Sequence, residues 1–350
     1  MSTLFIKKVF KKIIYYVILY KKKGAVLMRI ATIGTSWITE SFIDSARYID
    51  NVSIYAVYSR DEDKAKSFAR KNNVEKYYYS LDEMLSDDNI DAVYIASPNS
   101  MHYEQAKKCL LSGKHVICEK PAVVTSEQLN EIYEIADSRN LIFLEAMKSM
   151  HSDGLEVIKN SLADLGEIRT ASIDFSQHSS KYAAYKRGEN PNIFNPEMCT
   201  GALMDLGVYC VYFALELFGE PSKVISHSDF LESGADCTGT LIFVYDDKTV
   251  TITYSKTANG FLGSRILGYN GAITVNSVSK LTGINRYFND GRIEELYPVI
   301  DENIVMSKEI ESFRDFVDGK KKEYYDYCKR LAFTSCRIIE NIRKENSFSF

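Results

Sequence analysis

Val116-Ile117-Cys118-Glu119-Lys120-Pro121 is the stretch that decides how this chain is read. A short apolar run ends abruptly in an acid, a cation and a proline. Such a run predicts a buried strand of a parallel sheet whose carboxyl end opens into a crevice. A glycine turn lies upstream at Gly34. Downstream stands Gly201-Ala202-Leu203-Met204-Asp205-Leu206-Gly207-Val208-Tyr209, with Asp205 and Tyr209 at helical i,i+4 spacing. An amine at the mouth of a nucleotide-binding sheet, with a phenol supplied by a later segment, suits proton-coupled hydride transfer.

Outward from that strand, residues 29–145 alternate strand and helix. Arg29–Ile33, Val52–Tyr58, Ala92–Ala96, His115–Cys118 and Leu141–Leu144 read as strands. Between them, Ile38, Phe42, Ile43 and Ala46 space as a helix face. Further helices are expected over 61–72, up to Leu111 before Gly113, and over 126–137. Repeated alternation implies a parallel, doubly wound sheet with helices on both faces, and ligands bind outside the carboxyl ends of its strands.

Past about residue 150 the period changes to two. Ala171, Ile173 and Phe175 alternate with polar neighbours, as do Val250, Ile252 and Tyr254. Asp246-Asp247-Lys248, Asn270-Gly271 and Asn289-Asp290-Gly291 read as hairpin turns. Helices are expected over about 205–218, 307–318 and 324–344. The fold class is therefore α/β: a Rossmann-type parallel sheet, then an α+β domain with a large, mostly antiparallel open sheet. The predicted organisation is a basic extension over 1–27, a nucleotide domain over 28–148, and a substrate and oligomerisation domain over 149–350. The last helix is expected to pack back on the first domain.

Bulk properties narrow the function. The chain has 350 residues, 45% hydrophobic and 26% charged, which allows one or two ordinary globular domains. Residues 1–27 hold seven lysines and no acid, so a net charge of −4 leaves the rest of the chain distinctly acidic. An acidic body gives no support for nucleic-acid binding. Seven scattered cysteines without a C-x-x-C pair, and five histidines without zinc spacing, predict free thiols in a reducing cytoplasm and no metal. In the extension, Ile6, Val9, Phe10, Ile13, Ile14 and Val17 form one helical stripe opposite lysines. That pattern suits adhesion to an anionic membrane surface. The plainer expectation is a natural start at Met28, where the chain launches directly into a strand.

At the nucleotide end, Gly34-Thr35-Ser36-Trp37-Ile38-Thr39 stands where G-x-G-x-x-G is expected, and only the first glycine is present. That glycine permits the tight turn, and the helix N-terminus beyond it, at Ser36, Trp37 and Ile38, offers free N–H groups to a pyrophosphate. The second strand ends in Ser59-Arg60 rather than in an acid. A hydroxyl and a guanidinium, with Lys64 one turn on, suit a 2′-phosphate, so NADP is favoured over NAD. The alternative is a solvated arginine at a helix start. Ser97-Pro98-Asn99 closes the next strand, where Asn99 is placed to hydrogen-bond ribose or amide groups. His102 either joins that site or simply packs.

Together these pieces resemble the Gfo/Idh/MocA family of NAD(P)-dependent oxidoreductases. The matching elements are Ile33-Gly34-Thr35, Ser97-Pro98-Asn99, Cys118-Glu119-Lys120-Pro121 and Gly201 to Tyr209, in order across roughly residues 28–345. The resemblance implies a Rossmann domain, a second domain whose open sheet often mediates dimerisation, and action on sugars, polyols or related cyclic alcohols. Many members carry histidine where Tyr209 stands. Tyrosine there resembles the branch that includes glucose–fructose oxidoreductase, aldose dehydrogenases and dimeric dihydrodiol dehydrogenase, which tend to use NADP.

Read as chemistry, Lys120 stabilises charge on the reacting oxygen and Tyr209 exchanges its proton, the ammonium lowering the phenol toward phenolate. Asp205 orients substrate hydroxyls or holds Lys120 protonated; otherwise it only braces its helix. Glu119 touches the nicotinamide ribose or fixes Lys120. Residues 177–196, with Tyr182, Tyr185, Lys186 and Arg187, read as a mobile substrate loop or a solvated one. The expected partner is a small-molecule sugar, polyol or diol, handled by a homodimer or higher homo-oligomer. Two other functions fit the same fold: a non-catalytic nucleotide-sensing regulator, and a glycosidase or epimerase that recycles a tightly held cofactor.

Overall fold

The computed structural model describes residues 27–350. Apart from Leu27, the basic extension and its proposed membrane stripe lie outside the described residues. The first half contains β1 (Met28–Ile33), α1 (Trp37–Ala46), β2 (Val52–Tyr58), α2 (Glu62–Asn72), β3 (Lys76–Tyr78), α3 (Leu81–Leu85), β4 (Ala92–Ile95), α4 (His102–Leu111), β5 (His115–Glu119), α5 (Ser126–Ser138) and β6 (Phe143–Ala146). Its six strands are all parallel, in the order β3-β2-β1-β4-β5-β6. The order reverses at β1 and β4, and a crevice opens beyond their carboxyl ends. β4 and the Val116–Cys118 run of β5 are wholly buried, which is why they carry no polar alternation. The expected Leu141–Leu144 strand sits two residues later, and the short β3–α3 pair has no clear period in the sequence.

The second half adds α6 (Asp153–Ser161), β7 (Ile168–Ser176), α7 (Tyr182–Lys186), α8 (Val208–Phe218), β8 (Lys223–Phe230), β9 (Asp236–Val244), β10 (Thr249–Ser255), β11 (Ser264–Gly268), β12 (Gly271–Ser277), β13 (Thr282–Phe288), β14 (Ile293–Tyr297), α9 (Glu302–Val317) and α10 (Lys322–Glu345). The eight strands run β14-β13-β12-β11-β7-β10-β9-β8. All neighbours are antiparallel except β7 and β10, whose Ile173 and Ile252 lie in register in a parallel pair. Helix α9 starts five residues before the expected 307, because Asp301 accepts a hydrogen bond from the Asn303 N–H and sets the N-terminus there.

One face of the eight-stranded sheet is covered by α8, the most apolar helix among the described residues, buried along nearly its whole length. The residues packed there include Phe213, Phe243, Ile252 and Ile273. The same core continues into the first domain through Ile95, Val116 and Leu129, so the two sheets share one hydrophobic interior. Helix α9 crosses back instead to the other face of the first sheet, where Ile310 and Phe313 pack with Phe42, Tyr94 and Ile117. Helix α10 returns too: the Tyr325 hydroxyl bonds both the N–H and the carbonyl of Phe143 in β6.

Candidate active site

A cleft of about 590 Å³ opens at the carboxyl ends of β1, β2, β4 and β5, with the start of α8 forming its far wall. Gly34 makes the sharp turn out of β1. Its φ is +116°, and a Cβ there would lie 2.5 Å from the Ala96 carbonyl oxygen, so only glycine fits. Ser36 then leads into α1 without capping it by its side chain, which leaves the helix N–H groups facing the cleft. Thr39, where the third glycine of the motif is expected, is fully buried and closes against Gly34. Trp37 and Ile38 border the cleft at the start of α1, and Ser59 and Arg60 border it at the end of β2. A phosphate-bearing dinucleotide placed here would meet backbone N–H groups, a close backbone approach and a guanidinium. These residues fit the cofactor that the sequence implies.

Lys64 does not reach this cleft; it is exposed and turns to Asp61 at 3.6 Å. The side-chain nitrogen of Asn99 is already engaged, donating to the Cys199 carbonyl at 2.8 Å across the domain boundary. Both ring nitrogens of His102 lie against carbonyl oxygens, of Pro121 at 2.9 Å and Ser97 at 2.8 Å. Burial lowers the pKa of this imidazole, the two carbonyls oppose that, and the charge of Lys120 adds to the lowering. His102 thus borders the cleft as a brace between the β4 and β5 turns. Ser97 likewise donates inward, to Gln105 at 2.6 Å.

At the other end of the cleft stand Glu119, Lys120, Asp205 and Tyr209. Asp205 lies in a π-helical turn, Leu203–Gly207, that feeds α8. The wider turn directs its side chain toward β5. Lys120 Nζ donates to Asp205 Oδ1 and to the Asp205 carbonyl, each at 2.9 Å. The ammonium also sits 4.8 Å from the centre of the Tyr209 ring, over its face. Phe175 packs edge-on against the same ring at 5.7 Å. Tyr209 does not behave as the residues alone led one to expect. Burial first, and then the carboxylates of Glu119, Asp205, Glu309 and Glu302, push its pKa well above the ordinary phenol value. The ammonium stacks on the ring instead of bonding the phenolic oxygen, so it does not produce a phenolate.

Glu119 accepts from the Tyr94 hydroxyl at 2.7 Å rather than pairing with the Lys120 ammonium, and burial raises its pKa. For Asp205, burial alone would raise the carboxyl; the ammonium groups of Lys120 and Lys256 outweigh it and hold the pKa below the ordinary carboxylate range. Lys256, the second cation on Asp205, carries no sequence signal, since it follows a strand fifty-one residues later. Lys148 borders the cleft and pairs with Glu302. His151 instead packs among Phe316 and Tyr324, away from the cleft. In the 177–196 loop, Asn192 and Ile193 reach the cleft, whereas Tyr182, Tyr185 and Lys186 line a separate outer groove. Among the described residues, no group of three His, Cys, Asp or Glu side chains is arranged to hold a metal.

Comparison with known proteins agrees with this geometry. Residues 28–147 match the model of the GFO/IDH/MocA oxidoreductase family with its NAD-binding Rossmann fold, and residues 161–274 match the family's C-terminal domain. The chain belongs to this family. It is 35% identical to scyllo-inositol 2-dehydrogenase (NADP(+)) IolU of Bacillus subtilis, over 91% of this chain and 97% of that protein. It is 31% identical to trans-1,2-dihydrobenzene-1,2-diol dehydrogenase of Macaca fascicularis, over 59% of this chain and 63% of that one. Among solved structures, the 3-ketoreductase KijD10 of Actinomadura kijaniata, in complex with NADP and TDP-benzene, superposes with a TM-score of 0.77. That match covers 91% of this chain and 97% of the other at 20% identity, which shows the fold alone. The family resemblance and the α/β class expected from the residues both hold: the protein is a Rossmann-fold oxidoreductase.

Proposed function

We propose that the protein is an NADP-dependent dehydrogenase of cyclic polyols, interconverting a ring hydroxyl and its ketone. The observation that carries this is a single cleft bordered at one end by Gly34 and Arg60 and at the other by Lys120, Asp205 and Tyr209. Similarity to an NADP(+)-dependent scyllo-inositol dehydrogenase along almost the whole chain supports the cofactor and the substrate class. Gly34, the N–H groups at Ser36 to Ile38, Ser59 and Arg60 would hold NADP. When bound, that group accepts the hydride from the alcohol carbon, or returns it to the ketone.

Lys120 hydrogen-bonds the reacting oxygen with the donor not used by Asp205, and its charge favours a developing alkoxide. Tyr209, its pKa held high, keeps its proton at neutral pH and gives it to that oxygen in ketone reduction. Asp205 fixes the direction of the ammonium. Asn192 gives a polar partner to the remaining ring hydroxyls. Seven cysteines without a disulfide support a reducing, cytoplasmic setting. The face of the eight-stranded sheet opposite α8, where Thr249 and Thr253 of β10 are exposed, supports a homodimer.

The test mixes purified protein with scyllo-inositol and NADP⁺ and follows NADPH by absorbance. Turnover that depends on added NADP⁺ is expected. Cofactor that never leaves the protein would favour the recycling glycosidase or epimerase. Binding without turnover of any polyol, sugar or diol would favour a regulator.

A further inference from the structure

Lys256 follows β10 directly and is 7% exposed. Its backbone is held on both sides, donating to the Cys237 carbonyl at 2.8 Å and accepting from the Ser179 N–H at 2.9 Å. Its ammonium reaches Asp205 Oδ2, while Lys120 takes Oδ1 of the same carboxylate at 2.9 Å. A buried ammonium is costly unless paired. The other acid that faces it, Asp236, is committed elsewhere: its Oδ2 accepts from the Leu203 N–H at 2.7 Å. Lys256 does not border the cleft, so it neither touches substrate nor binds cofactor.

The charge count of the cluster then matters. Lys120 also feels Glu119 and Glu145 from its own sheet, His102 beside it, and the Tyr209 ring. An isolated Lys120–Asp205 pair would be neutral, and in a low-dielectric cleft it would offer little to an alkoxide. Within that trio, two ammonium groups on one carboxylate leave one positive charge in excess, and burial shifts the carboxyls of Glu119 and Glu145 toward their neutral forms, so they offset it less. We propose that Lys256 is a positioning residue for the reaction: by engaging half of the Asp205 carboxylate, it leaves Lys120 with uncancelled positive charge for the substrate oxygen. The inference rests on the function proposed above and adds to it a residue outside the cleft.

Two measurements on the full-length protein test it. Acetic anhydride labelling, with modification of Lys120 quantified by mass spectrometry, reads that amine without any substrate. With the whole Asp205 carboxylate free to hold it, the Lys120 amine is less available to the anhydride, so Lys256→Met is expected to slow Lys120 labelling at least about 3-fold, and Lys256→Arg to restore it. Equal labelling in the wild-type and Lys256→Met proteins overturns the proposal. If Lys256→Met does not fold, as judged by loss of NADP⁺ quenching of the single tryptophan, Lys256→Gln takes its place. In turnover of scyllo-inositol, Lys256→Met is expected to lower kcat about 10-fold with KM for NADP⁺ nearly unchanged. That loss should vanish in an Asp205→Asn background, where no carboxylate remains to offset. A loss of equal size in both backgrounds also overturns the proposal, since a purely structural lysine behaves that way. A protein that labels as expected but turns over no polyol counts against the proposed function and not against this role.

Discussion

The two ends of the cleft are built by opposite means. The nucleotide end is made mostly of backbone, one glycine turn and the free start of α1, with one arginine side chain just past β2. It is open, and Trp37 there is 67% exposed. Each of its parts comes from a short local segment. The other end is made of side-chain charge drawn from three distant segments: Lys120 just past β5, Asp205 and Tyr209 in the π-turn and first turn of α8, and Lys256 after β10. Its members are mostly buried and compensate one another. Solvated backbone donors act nearly independently, whereas desolvated charges act as a unit. Damage at the first end should therefore appear in cofactor affinity, and damage at the second in the rate.

The sharpest way to break this contrast is Lys120→Ala. Turnover is expected to fall at least about 10²-fold, the usual scale for losing a donor to a developing oxyanion, with NADP⁺ affinity little changed. Quenching of Trp37 fluorescence reads the affinity; near-normal turnover would remove Lys120 from the chemistry. Arg60→Asp addresses the opposite end. Removing a charged hydrogen bond to the 2′-phosphate costs about 1.5–3 kcal/mol, so NADP⁺ affinity should drop roughly 10- to 100-fold with kcat at saturation retained. An unchanged ratio of NADP⁺ to NAD⁺ affinity would show that Arg60 is only a solvated arginine.

The smallest effect is expected at Asp236, behind the charged end. Burial raises its carboxyl from the ordinary 3.8 to about 7, opposed by the Leu203 and Ala202 N–H groups that it holds. The folded protein thus binds this proton more tightly than the unfolded chain does. Its contribution to stability is greatest in acid and is lost as pH rises from 3.8 to about 7. Asp236→Asn should flatten that loss, changing the difference in Tm between pH 5 and pH 8 by a few degrees, on the order of 1–2 °C per kcal/mol for a chain of this length. Melting curves with the wild-type pH dependence would show that Asp236 does not titrate there.

The residues announced the first sheet clearly, because parallel strands buried on both faces must be apolar runs. They also pointed to Gly34 and to the Lys120–Pro121 strand end, since both sit where a local pattern breaks. Lys64 read as a cofactor ligand because a linear pattern cannot show that it turns to Asp61 instead; nor can it show that Asn99 and His102, which border the cleft, already hold backbone carbonyls. Tyr209 was misjudged for a related reason. Proximity to an ammonium was foreseeable; its placement over the ring face and the burial that keeps the phenol protonated were not.

By itself the sequence determined the strand–helix alternation of the first sheet apart from the short β3–α3 pair, the glycine turn, and the types of side chain proposed to carry the chemistry. Those follow from short-range periodicity and from residue chemistry that does not depend on neighbours. Only the tertiary structure decided that β7 and β10 pair in parallel, that α9 returns to seal the first sheet, and that Asp205 is shared by two lysines. Those outcomes depend on burial and charge compensation between segments far apart in the chain.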